Sequence, residues 1–233
     1  MNKDLTNVLS QLNSITNTVI LKHPITVAAS EAKDIYVHLD VSQIDSNEFP
    51  NIGLNNNLNN YLNLFKLFSD DRIVNYNKDT IEIISDKISS SYITDNVALM
   101  EAYDISPDQF QKTEEVPTVC SIDLSVEDIK NLKSATSVFK DLSEIIIKCQ
   151  DSEVSLSLGA TNKFNARDNS YKIKKDTTST KDFEIKVPVE NFKKIPESEY
   201  TFEVKYNESR DAYRILMKNK SLSGLKIIMS VIK

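Results

Sequence analysis

Glycine is nearly absent from this chain: 233 residues hold only Gly53, Gly159 and Gly224. A Walker phosphate loop or a dinucleotide fingerprint needs several glycines within a few positions, so neither can be written anywhere. Tryptophan is missing, and histidine occurs only as His23 and His38. His38 alternates with apolar neighbours and reads as a solvent-facing strand residue. Cys120 and Cys149 supply neither a zinc motif nor a disulfide framework, and both read as buried apolar residues. No apolar run approaches the roughly 20 residues that cross a bilayer. Residues 1–5 (MNKDL) lack the basic and then apolar layout of a signal peptide, so a cytoplasmic protein is expected. Positive charge is also short. Lysine and arginine number 28 against 34 acids, a formal charge of -6, which taken alone argues weakly against a nucleic-acid partner.

Two periodicities fill the chain. Leu5, Val8, Leu9, Leu12 and Ile15 fall at helical spacing over residues 3–16, and Leu58, Tyr61, Leu62, Phe65 and Phe68 do so over 55–69. Short runs rich in β-branched residues predict strands at 19–22, 25–29, 35–41, 73–76, 80–85 and 89–94. Residues 96–117, with Pro107, Pro117 and five acids, sustain neither period and read as a linker.

Beyond the linker the order repeats. A strand at 118–124 leads into a helix from Ser125 to about Leu142, where Ser125 and Asp128 form a capping-box signature. Strands follow at 144–149, 154–158, 171–174 and 183–187, then a short helix at 189–195 and strands at 200–206, 213–218 and 225–232. Leu12, Ser14 and Thr16 match Leu132, Ser134 and Thr136, while Val74, Tyr76 and Asn77 match Val204, Tyr206 and Asn207. The expectation is an α+β protein of two similar domains, residues 1–96 and 118–233, joined by residues 97–117. Each domain would pack two helices on antiparallel sheets.

No catalytic set can be assembled, so no enzymatic activity and no cofactor are expected. Asp70-Asp71 and Glu114-Glu115 could hold a divalent cation in principle. The first pair sits at a helix-to-strand joint and the second in the linker, where carboxylates are usually solvated, so no metal site is expected.

The helix faces are more informative. At about 100° per residue, Lys130, Lys133 and Lys140 fall within roughly 80°, opposite Ile129, Leu132, Ala135, Phe139 and Leu142. The other helices show Lys3, Asn7, Ser10 and Asn13; Asn56, Asn59, Asn60, Asn63 and Lys66; and Lys193 and Lys194. Lysines and neutral amides can touch phosphates without fixing one register.

With those faces in view, the chain resembles the sliding clamps of DNA replication, particularly the trimeric clamps of T-even-type bacteriophages. The resemblance spans nearly the whole length and rests on residues 9–22 (LSQLNSITNTVILK), 58–67 with Asp70-Asp71 after them, and 124–139 (LSVEDIKNLKSATSVF). It implies a ring-forming DNA-clamp fold, helices lining the hole, and a processivity factor that encircles duplex DNA without sequence specificity. The implied partners are the replicative DNA polymerase, an ATP-driven clamp loader and two further copies of the chain, in the cytoplasm of an infected bacterial host. Lys3, Lys66, Lys130, Lys133, Lys140, Lys193 and Lys194 would face the DNA. Subunits would close through edge strands carrying Ser89, Ser91 and Ile93 on one side and Tyr171, Ile173 and Lys175 on the other, aided by Asp95 and the nearby lysines. A partner peptide would enter an apolar pocket of Val97, Leu99, Met100, Tyr103, Ile105, Ile227, Met229 and Val231. The alternative is a structural or assembly protein of a phage particle, where acidic, β-rich subunits also serve.

Overall fold

The computed structural model describes residues 3–44, 49–68, 72–77, 79–103, 105–151, 153–159, 171–177, 179–222 and 224–232; for residues 3–5, 7, 101–103 and 176 it describes the backbone alone. The chain forms two compact units, Met1–Pro107 and Asp108–Lys233. The division falls inside the segment expected to link two domains.

Unit 1 runs α1 (Lys3–Asn13), β1 (Val19–Leu21), β2 (Ile25–Ala29), β3 (Ile35–Asp40), β4 (Ile52–Leu54), α2 (Leu58–Phe65), β5 (Ile73–Tyr76), β6 (Thr80–Ile84) and β7 (Ser89–Ile93), then a 3-10 turn at Val97–Tyr103. Val8, Leu9 and Leu12 bury one face of α1, and Leu58, Tyr61, Leu62 and Phe65 bury one face of α2. The two helices pack against each other. Strands β5, β6 and β7 form an antiparallel sheet in chain order, while β1 pairs β4 and β2 pairs β3. In β6 the alternation is plain: Ile81 and Ile83 are fully buried, while Glu82 and Ile84 face outward.

Strand β4 was not expected, because three residues within an Asn-rich stretch leave no period to detect. Its Gly53 is required by a close approach. A Cβ there would meet the Asp95 carbonyl oxygen at 2.9 Å and run into the Met100 sulfur. The Gly53 and Asp95 backbones form an antiparallel bridge.

Unit 2 runs α3 (Asp108–Glu114), β8 (Thr118–Leu124), α4 (Val126–Val138), β9 (Glu144–Gln150), β10 (Glu153–Gly159), β11 (Lys172–Asp176), β12 (Phe183–Pro188), α5 (Val189–Lys193), β13 (Tyr200–Asn207), β14 (Ala212–Asn219) and β15 (Leu225–Ser230). One sheet has the order β11, β10, β9, β12, and β15, β14, β13 and β8 are likewise neighbours in sequence of pairing. All these pairs are antiparallel. Ile145, Ile147, Val154, Leu156, Ile185, Phe202, Val204 and Ile215 are essentially inaccessible. Each such side chain stabilises the fold by about 1.5–3 kcal/mol relative to exposure. Cys120 and Cys149 are buried and unpaired thiols, as expected.

Helix α3 lies within the segment expected to have no structure. Its apolar face is only Phe110 and Thr113, both buried, too short a pattern to register as a helical period. It is held to the sheet by Lys226 to Glu114 (2.7 Å), and by the buried Lys205, whose amine donates to the Glu114 carbonyl (3.2 Å) and to Thr118 Oγ1 (2.8 Å).

Candidate nucleic-acid interface

The capping box read from sequence is present at the start of α4. Ser125 Oγ accepts from the Asp128 amide at 3.1 Å, and the Asp128 carboxylate accepts from the Ser125 amide at 2.8 Å. It fixes the rotation of the helix, with Ile129, Leu132, Ala135 and Thr136 toward the interior and Lys130 outward. The helix ends sooner than the period predicted. Phe139 leaves helical geometry (φ -99°, ψ 67°), and the Leu142 amide bonds the Phe139 carbonyl at 3.0 Å. This turn buries Leu142 and starts β9, so Lys140 stands exposed in a turn and does not extend the helical stripe.

Lys133 also differs from its neighbours. Its side chain is only 19% exposed and its amine is 4.0 Å from Glu197. Burial holds its pKa below the ordinary lysine value, with the Glu197 charge opposing. Helix α5 packs beside α4. There Lys193 is exposed and sits 2.9 Å from Glu190, one turn away, while Lys194 at the helix end is half-buried. Unit 2 therefore brings Lys130, Lys133, Lys193 and Lys194 onto two neighbouring helices, with Lys193 partly neutralised. The polar face is not free of acid.

In unit 1 the exposed side of α2 carries Asn59, Asn60, Asn63 and then Lys66, whose amine donates to Asn63 Oδ1 at 2.8 Å. Helix α2 lacks a side-chain cap from Asn57; the turn after α1 supplies one. Asn17 Oδ1 accepts from the Asn59 amide (2.7 Å), and the Asn17 carbonyl accepts from the Leu58 amide (3.1 Å). Asn13 Nδ2 reaches Asn59 Oδ1 at 3.5 Å, joining the polar sides of both helices. Lys3 belongs to α1, but its side chain, like that of Tyr103, lies outside the described residues, as do Asp70 and Asp71. Among the described residues, no three or more His, Cys, Asp or Glu side chains gather as a metal site. None of the described helices is long and apolar enough to cross a membrane.

The expected edge strands are edges: β7 pairs only with β6 and β11 only with β10 among the described residues. The Ser85 amide bonds the Ile88 carbonyl at 2.8 Å, and bonded pairs alternate along an antiparallel ladder. The backbone groups of Ser89, Ser91 and Ile93 therefore face the open side. On β11 the Leu158 amide bonds the Tyr171 carbonyl at 3.1 Å, which turns the backbones of Tyr171, Ile173 and Lys175 inward, toward β10. The outward backbone groups on this strand belong to Lys172 and Lys174. Charge assistance is also reduced. Lys175 pairs with Asp128 and Lys174 with Glu153 (2.8 Å), while the Asp95 carboxylate accepts from the Asn55 amide at 2.8 Å.

The expected peptide pocket needs a larger correction. Met100, Ile227 and Met229 are interior residues, at 4%, 0% and 0% exposure. Met100 lies under Gly53, while Ile227 and Met229 pair with Met217 and Ile215 inside the sheet. Val97, Ile105 and Val231 are half-buried, and Leu99 is exposed. Ile105 lines a cavity of about 190 Å3 with Thr16, Thr18, Ser30, Lys33 and Asn56. In unit 2 an open hollow of about 440 Å3 lies between Val116, Pro117, Val119 and Tyr206, rimmed by Lys112, Glu115 and Glu208. Neither hollow was foreseen, since their walls come from turns and strand ends that carry no periodic signal.

Two helices over antiparallel sheets, repeated along one chain, form the DNA-clamp fold. Among solved structures the chain is similar to the proliferating cellular nuclear antigen of Entamoeba histolytica, with TM-score 0.65, 16% identity, and coverage of 98% of this chain and 95% of that one. It is also similar to the A. fulgidus PCNA solved with the C-terminal region of FEN-1 bound, with TM-score 0.65, 12% identity and the same coverages, 98% and 95%. No family model and no curated protein matches the chain.

Proposed function

We propose that this chain is a sliding clamp: a non-catalytic ring subunit that encircles duplex DNA and tethers the replicative polymerase. The observation that carries the reading is the clamp fold over 98% of the chain. The neutral amides of α2 and the exposed Lys66, Lys130 and Lys140 suit loose contacts to phosphate, which encirclement permits because topology, not affinity, retains the ring. The ring would be a homotrimer of the T-even phage type, opened by an ATP-driven loader and acting on DNA in the infected bacterial cytoplasm. The phage assignment rests on residues 9–22, 58–67 and 124–139. The A. fulgidus protein binds a C-terminal segment of its partner, so short C-terminal segments of replication enzymes are the partners to try first.

Light scattering should give three chain masses, and addition of the chain with polymerase and loader should lengthen products on primed circular DNA. A strict monomer at micromolar concentration with unchanged product length would overturn the proposal.

A further inference from the structure

The chain has two cysteines, and the fold of unit 2 brings them to one place. Cys120 lies on β8, which pairs with β13, while Cys149 lies on β9 between β10 and β12, so the two stand in different sheets. Each is 1% exposed. By the alternation of each strand, Cys120 shares its face with Ile122 and Leu124, and Cys149 shares its face with Ile145 and Ile147, all of them buried. Both thiols therefore belong to the interior of unit 2.

Residues 177 and 179–183 run from one cysteine to the other. Thr177 Oγ1 lies 3.4 Å from Cys120 Sγ and donates to the Ser121 carbonyl at 2.8 Å. The Val119 carbonyl accepts from Ser179 Oγ and from the Thr180 amide, each at 3.0 Å, and Phe183 then stands opposite Cys149 across the β12–β9 pair. Burial pushes the Cys120 thiol up, the Thr177 bond opposes it, and the Cys149 thiol adds to the rise through charge and a hydrogen bond. The two sulfurs are neighbours. Valine at either position would meet the demands of apolar packing, whereas two adjacent thiols can also be joined.

We infer that Cys120 and Cys149 are a redox pair, which an oxidant of the peroxide class joins in a disulfide tying β8 to β9 and a dithiol reductant reopens. One thiolate sulfur attacks a peroxide oxygen, the O–O bond breaks, and the leaving hydroxide takes up a proton as water. The sulfenic acid formed is then attacked by the second sulfur, the S–O bond breaks, and its hydroxyl leaves as a second water with the remaining thiol proton. Two thiols lose two electrons and peroxide gains them. Strand β8 leads into α4 and β9 follows it, so the new bond closes a loop around the whole of that helix, and this constrains the unfolded chain. The site does not depend on the clamp reading, since it rests on unit 2 alone.

The full chain, reduced and freed of reductant, is treated with hydrogen peroxide under native conditions. Mass spectrometry should find each chain two hydrogens lighter, and non-reducing digestion should yield one linked peptide pair that contains Cys120 and Cys149. The melting temperature should rise by several degrees and return after dithiothreitol. In Cys149→Ala the Cys120 thiol should instead be trapped by dimedone as a sulfenic acid, with no rise in melting temperature. The parent chain decides the matter even where that variant folds poorly. A chain that stays reduced until urea is added overturns the inference. So do a link between two chains, and sulfinic acid at either cysteine without a link.

Discussion

The Lys175 amine lies 2.7 Å from Asp128 Oδ2, joining the edge strand β11 to the first turn of α4. The same carboxylate accepts from the Ser125 amide and hydroxyl, each at 2.8 Å. One acid thus closes the helix cap and anchors a strand that, among the described residues, pairs with β10 alone.

Asp128→Asn should cost about 1–2 kcal/mol at neutral pH, through the lost ion pair and the weakened cap. Burial by itself raises the Asp128 pKa, but the bonds from Lys175 and Ser125 outweigh it and the net shift is downward. A carboxylate lowered in the folded state contributes in full above its unfolded pKa, near 3.9, and loses that contribution as pH falls through the lower folded value. Urea unfolding of both proteins should therefore show a gap at pH 6 that narrows below about pH 4. A gap independent of pH would remove the charge from the account.

Lys130→Ala combined with Lys140→Ala should shorten products on primed circular DNA several-fold and reduce the salt dependence of loading, with the melting temperature unchanged. Lys133→Ala should differ in kind. Its side chain is mostly covered and lies beside Glu197, so its removal should change stability more than DNA dependence. Equal loss of processivity from all three changes would show that burial does not sort them.

Ser91→Pro should break self-association without unfolding the chain. The Ser91 backbone faces the open side of β7, where proline removes no bond of its own sheet. Light scattering should report single chains where the proposed ring would give three chain masses. A multimer retained in the variant would place the seam elsewhere.

Gly53→Ala should lower stability by about 1–3 kcal/mol, because its methyl group would press on the Asp95 carbonyl and the Met100 sulfur. Met100→Ala should recover part of the loss in thermal unfolding, since only one of the two obstacles is a side chain. No recovery would leave the backbone contact as the whole cause.

The helices and most strands were legible because one face of each is buried, which imprints a period of 3.6 or 2 on the residues. Strand β4 and helix α3 were not, because Ile52–Leu54 is buried throughout and Asp108–Glu114 offers only Phe110 and Thr113 to a core. Site residues were less legible. Lys140 kept helical spacing past the point where Phe139 leaves the helix, and Ile227 and Met229 are as apolar in a core as they would be in a pocket. The direction of an edge backbone is set by which pair closes the hairpin, a fact held in hydrogen bonds and invisible to residue type.

The Asp95 carboxylate is engaged by the Asn55 amide, within its own unit. With Lys174 and Lys175 also bound internally, the seam of the proposed ring would have few charges left to share, and backbone pairing would carry it. Backbone pairing is nearly indifferent to ionic strength, whereas lysine contacts to phosphate weaken steeply as salt rises. Rising salt would then loosen the grip on DNA while leaving the ring closed, so that friction and closure become separate quantities.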